Sequence, residues 1–192
     1  QEIKTSPTKD LEQKSLEPLI TLYNKGQLDA VAEQTLILMQ SFPNAFALWN
    51  IYGFANKGLG RIKVSELSFR NATRLNPNYP EGYTNLGIVL RAQGKLEEAL
   101  LIWEKALTLK PEFADVKNNL ANVLNKLGKY KSALEYYDQL STLTSSSQGL
   151  ECLYKLGEYS EFYKRLEVLT TSNPTDRRIA AISARKVGAG LS

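Results

Sequence analysis

The chain has 192 residues, 43% of them hydrophobic and 23% charged, a balance that supports a packed core and excludes a disordered polymer. Lys and Arg number 24 against 20 Asp and Glu, for a formal net charge of +4, and there is one cysteine and no histidine. No stretch approaches the ~20 apolar residues of a membrane span, one cysteine cannot form an intramolecular disulfide, and without imidazole the Ser-His-Asp and Cys-His systems, histidine metal ligands and the usual neutral-pH proton shuttle are absent.

The polar opening QEIKTSPTKD predicts a flexible lead over residues 1–10. Beyond it, Gly26, Gly60, Gly94 and Gly128 recur every 34 residues, and Pro43, Pro77 and Pro111 each follow one of the first three glycines by 17. A glycine at positive φ closes one helix, and a proline, lacking an N–H, stops the next, so every period holds two helices. The predicted array covers residues 11–175, with repeats at about 12–45, 46–79, 80–113, 114–142 and 143–176. The fifth is degenerate, keeping Gly157, Phe162, Leu166, Leu169 and Pro174, and its register predicts a first helix about five residues short. After Pro174, Asp176 caps a short helix over 177–187, whose Ile179 and Ile182 cover the open end while Arg178 and Arg185 face water, and residues 188–192 form a tail.

Within the third copy, Leu86, Val89 and Leu90 share one helix face, as do Leu96, Ala99, Leu100, Trp103, Ala106 and Leu107 on the next. Small residues at Gly87, Ala99 and Ala106 permit close helix approach, and Trp103 is large enough to fill the space between neighbouring pairs. Both tryptophans and most of the ten tyrosines are therefore expected in the core. Cys152, beside Leu150, Leu153 and Leu156, reads as a buried thiol.

The aligned copies carry a recurring set: Tyr83, Leu86, Gly87, Ala99, Trp103, Ala106 and Pro111 in the third, and Trp49, Tyr52, Gly53, Ser65, Phe69, Ala72 and Pro77 in the second. The fourth has Lys117, Leu120, Ala121, Ala133, Tyr137 and Leu140, with Ser145 in place of the proline. This pattern resembles the tetratricopeptide repeat (TPR) over roughly residues 12–174. The resemblance implies an all-α, right-handed superhelical solenoid of about five helix pairs plus a C-terminal capping helix.

Catalytic chemistry finds little support, and no enzyme, cofactor or metal is expected. Glu97, Glu98, Glu158 and Glu161 stand in first helical turns, where the dipole favours acids, and are expected to be solvated. Gly94-Lys95 and Gly128-Lys129 lack the earlier glycine and following Ser or Thr of a phosphate loop. The basic residues are interleaved with acids rather than clustered, which argues against nucleic acid.

In the family that the chain resembles, the first helix of each pair lines a concave groove that takes an extended or helical peptide. The matching positions here are Asn50, Phe54, Lys57, Asn85, Ile88, Arg91, Asn118, Asn119, Asn122, Asn125 and Lys126, flanked by Ile20, Tyr23 and Ile51. An amide both donates and accepts, so successive asparagines grip a peptide backbone without reading its sequence. Asn85 and Asn119, 34 apart, resemble the asparagine ladder of O-linked N-acetylglucosamine transferases and bacterial TPR arrays, a ladder that Ile51 interrupts, whereas the pattern departs from chaperone-binding carboxylate clamps. The expected role is a protein-interaction scaffold or adaptor without membrane insertion; the alternative is the substrate-presenting part of a longer transferase or oxygenase. No signal peptide opens the chain and a cytoplasmic location is expected, although the initial Gln1 also suits a processed N-terminus. The partner's identity and the oligomeric state are not legible.

Overall fold

A computed structural model describes residues 16–140, 142–173, 175, 176, 179, 181 and 182. The predicted lead and tail lie outside the described residues, as does most of the predicted cap over 177–187. Among the described residues the chain is helical with no strand. Its helices are α1 (Leu16–Asn24), α2 (Leu28–Ser41), α3 (Phe46–Gly58), α4 (Ile62–Leu75), α5 (Pro80–Ala92), α6 (Leu96–Leu109), α7 (Ala114–Lys126), α8 (Tyr130–Asp138), α9 (Leu143–Leu156) and α10 (Tyr159–Ser172). They form two compact units, Gln1–Pro111 with α1 to α6 and Glu112–Ser192 with α7 to α10, and in each unit the main packing joins consecutive helices.

One backbone device builds every pair. Gly26, Gly60, Gly94, Gly128 and Gly157 have φ between 73° and 78°. The residue after each donates its N–H to the carbonyl five residues back, as Lys95 does to Leu90 at 3.0 Å and Glu158 to Leu153 at 3.0 Å. This is the Schellman closure, and glycine is favoured because a Cβ opposes positive φ.

In the first unit, the second and third pairs are each locked by a large residue set over a small one. Trp103 is fully buried, and its indole Nε1 donates to the Thr84 carbonyl at 3.1 Å. A Cβ on Gly87 would collide with that indole. Thirty-four residues earlier, a Cβ on Gly53 would stand 2.7 Å from Phe69 Cε1. Gly87 and the Thr84 carbonyl belong to α5, the partner helix of the pair that holds Trp103, and the missing Cβ leaves the indole its slot there. Of the ten tyrosines only Tyr83 and Tyr137 are buried, which corrects the expected core role of most of them. Trp49 is half-buried and donates to the Pro43 carbonyl at 2.9 Å.

An ion network ties α4 to α6. Glu66 accepts from Arg70 Nη2 at 2.9 Å, from Gln93 Nε2 at 2.7 Å and from Lys95 Nζ at 2.8 Å, and Arg70 also bonds Glu98. Burial disfavours the Glu66 carboxylate, but the hydrogen bonds from Lys95, Gln93 and Arg70 and the charge of Lys95 prevail and hold its pKa down at about 2. Glu98 is therefore a member of a network rather than a merely solvated helix start.

In the second unit, Tyr137 and Ala121 are both buried, and a separate cluster joins Leu150, Leu153, Phe162, Leu166 and Ile179, with Ile182 packed against it. The predicted cap residues Ile179 and Ile182 thus cover the last pair. The predicted shortening of the fifth repeat's first helix is corrected: α9 is a full 14 residues, and α8 is the short element at 9, against 14 for α2, α4, α6 and α10. A local competition decides this. Thr142 and Ser145 form a capping box that starts α9, and Ser145 Oγ also donates to the Leu140 carbonyl at 2.7 Å, ending the preceding turn. Ser145 is therefore a helix-starting residue and has no relation to the proline position.

Candidate functional site

In the first unit, the first helices of the first two pairs leave an open cleft of about 250 Å³ lined by Leu19, Ile20, Tyr23, Asn50, Ile51 and Phe54. Five of these six side chains present carbon or an aromatic ring, and Asn50 supplies the amide. Phe54 meets Tyr23 edge to face at 6.3 Å between centroids and Phe69 at 5.3 Å, so its ring is braced from two sides. Ile20 stays 49% exposed, more than an aliphatic side chain with a packing role usually does. Lys57 Nζ lies 5.4 Å from the Phe54 ring centroid, a cation–π distance that places positive charge beside the cleft.

Asn50 links the cleft to the next pair, since its Oδ1 accepts from Asn85 Nδ2 at 3.4 Å. It also bonds the Tyr79 hydroxyl, whose pKa is raised by burial and by the charge of Glu81 and drawn back by that bond. Ile88 is half-buried on α5 outside the cleft lining, and Arg91 sets its guanidinium 5.9 Å from the Trp103 ring. The structure thus joins Asn50 with Phe54 and Asn85, while Lys57 and Arg91 lean on aromatic rings of their own pairs.

In the second unit, Asn118, Asn119, Asn122, Asn125 and Lys126 all lie on α7. Asn122 Oδ1 accepts from the Tyr137 hydroxyl at 2.8 Å and from Gln148 Nε2 at 2.9 Å, which fixes its amide orientation and commits its acceptor. Gln148 Oε1 is buried without a hydrogen-bond partner. Sequence reasoning missed Gln148 and Leu19. Gln148 was detectable by counting back nine residues from the closing glycine: Gly94 gives Asn85, Gly128 gives Asn119 and Gly157 gives Gln148. Leu19 is buried, and nothing in its sequence position marks it as a cleft residue.

Among the described residues no three His, Cys, Asp or Glu side chains converge as a metal site, and no helix is long and apolar enough to cross a membrane. Cys152 is fully buried, and burial pushes its thiol up to about 11, the opposite of a nucleophile.

Three TPR families match the chain, at residues 68–100, 87–128 and 114–146. No curated protein matches it in sequence. Solved structures share the fold at low identity. MamA is 16% identical with a TM-score of 0.74, covering 83% of this chain and 90% of its own. A tetratricopeptide repeat protein from Parabacteroides merdae is 18% identical with a TM-score of 0.75, covering 85% and 67%. YrrB, described as a TPR protein with an unusual peptide-binding site, is 13% identical with a TM-score of 0.75, covering 92% and 97%. With the 34-residue spacing and the Schellman-closed helix pairs, the family matches over residues 68–146 identify the chain as carrying tetratricopeptide repeats.

Proposed function

We propose that the chain is a protein-interaction module, a scaffold or adaptor that binds a peptide or protein segment along the first helices of its pairs. Repeat proteins commonly bind through such extended surfaces. The observation that carries this reading is the open cleft between α1 and α3, apolar on almost every side yet not closed by the side chains of the described residues. A large apolar side chain of the partner enters beside Phe54, Ile20 and Ile51. Asn50 and Asn85 hold the adjoining backbone, and Lys57 favours an acidic flank, chiefly through association rate. Ile88 and Arg91 extend the surface on α5; as a separate contact in the second unit, Asn118, Asn119, Asn125 and Lys126 lie on α7, where Asn122 keeps only its amide N–H donors for a partner. The peptide-binding site named for YrrB agrees with this role.

Affinity is modest, roughly micromolar, because an extended peptide loses much conformational entropy on ordering. An array of 12-residue peptides with varied apolar anchors, probed with the full chain, tests the reading. Peptides with a large aliphatic or aromatic residue beside acids are expected to bind, and Phe54→Ala is expected to weaken them by about 1–3 kcal/mol. Peptide binding that ignores Phe54→Ala and Ile20→Asp, but responds to Leu67→Asp or Leu101→Asp on the second helices, would refute it.

A further inference from the structure

A second cleft lies on a different part of the molecule, within the second unit. It has a volume of about 290 Å³ and is lined by Tyr137 and Asp138 at the end of α8, Leu140 in the following turn, Ser146 on α9, and Lys164, Arg165, Val168 and Leu169 on α10. Its origin is the short helix: α8 stops at Asp138, five residues before the length that α2, α4, α6 and α10 reach. The cleft begins where α8 ends, and it exposes α10 residues without a helix turn beside them. Val168 is 60% exposed there.

The polar groups of the cleft narrow the choice of occupant. Arg165 is committed to two carboxylates, donating to Asp138 Oδ1 at 2.6 Å and to Glu161 Oε1 at 2.7 Å. The Ser146 hydroxyl donates to the Thr142 carbonyl at 3.1 Å. Lys164, by contrast, makes no ion pair among the described residues. With Arg165 and Ser146 committed, Lys164, whose charge also acts on Glu161, beside the aliphatic Leu140, Val168 and Leu169 is too little convergent polarity to orient a small ligand. It suits the face of an amphipathic helix, which needs an aliphatic anchor and one complementary charge.

We propose that this cleft is a docking site for an amphipathic helical segment of a partner, which supplies in trans the turn that α8 lacks. An aliphatic side chain of the segment covers Leu140, Val168 and Leu169, and a carboxylate one turn away meets Lys164. The site is independent of the α1–α3 cleft, so either can fail without the other.

The test uses the full chain, labelled with ¹⁵N, and a blocked synthetic peptide of the α6 sequence Leu96–Lys110, an acidic and aliphatic helix of full length. Amide shifts at Ser146, Lys164, Val168 and Leu169 are expected to saturate below about 1 mM peptide. Val168→Asp and Lys164→Glu are each expected to weaken binding by about tenfold or more, while Phe54→Ala leaves it unchanged. A third variant inserts the sequence of Ala106–Lys110 after Asp138, restoring the 34-residue spacing. It is expected to raise the melting temperature and abolish the shifts. Overturning results are an absence of shifts at the four residues, shifts confined to Ile20 and Phe54, or binding that survives the insertion in a variant that has folded.

Discussion

Replacing Trp103 with alanine is expected to be among the most damaging single changes available to the first unit. The indole is fully buried, and the residue facing it, Gly87, has no side chain that could move into the space. Large-to-alanine substitutions of buried aromatics cost about 3–5 kcal/mol, with the larger values where the site cannot collapse. Loss of the Nε1 bond leaves the Thr84 carbonyl without this donor, adding about 1 kcal/mol, so the upper half of the range is expected. For a chain of this size that is a fall in melting temperature of roughly 10 °C. Urea unfolding followed by circular dichroism at 222 nm is the assay, since it does not depend on the indole being removed. The sequence supplies an internal control. The second copy sets Phe69 over Gly53, and the fourth carries Ala121 and Tyr137 at the corresponding positions, so the repeat accepts alanine there with a ring other than indole. Gly87→Ala alone is expected to cost about 1–3 kcal/mol by forcing the indole aside. Combined with Trp103→Tyr, it is expected to cost at least ~1 kcal/mol less than the sum of the two single changes. A Trp103→Ala loss under about 1 kcal/mol, or strict additivity of the pair, would show that ring and glycine are not in contact.

Three further outcomes follow from the same structure. The pKa of Glu66 is depressed in the folded state from 4.5 to about 2, so its stabilisation is complete above pH 4.5 and is lost as pH falls toward 2. The displacement corresponds to ~3 kcal/mol, reduced to about 1–2 because Arg70 and Lys95 are 40% and 43% exposed; Glu66→Gln is expected to flatten that part of the stability profile, and an unchanged profile between pH 5 and about 2.5 contradicts the network. Cys152 is expected to be inert to a thiol reagent at about pH 8 in the native protein and to react once in denaturant, because its thiol is buried and its pKa raised to about 11; rapid native labelling contradicts the packing. Thr142→Ala is expected to cost about 1 kcal/mol through loss of the α9 capping box, measured by chemical unfolding, with no loss if the box is incidental.

The sequence by itself determined the repeat. Glycine and proline act on their own backbone, through φ and the missing N–H, so their 34-residue spacing set the helix pairs without any tertiary information. The apolar faces, the buried Cys152 and the small residues that let helices approach closely were legible for the same reason: each depends on helical period and volume. Of the groove candidates, Asn50 and Phe54 lie on the first helix of their pair, as the period implies, and both line the α1–α3 cleft.

Tertiary structure alone decided what depends on where side chains of different helices meet. The count from Gly128 to Gly157 showed that five residues were missing, but their removal from α8 rather than α9 was settled by the competition between the helix end and the Thr142–Ser145 box. Asn122 looked like a groove amide, yet its acceptor is taken by Tyr137 and Gln148, residues 15 and 26 positions away. Glu98 looked solvated until Arg70, 28 residues earlier, reached it. Local rules set the backbone because they act within a few residues; hydrogen-bond partners and open clefts arise only once separate helices are brought together, and no local period encodes that.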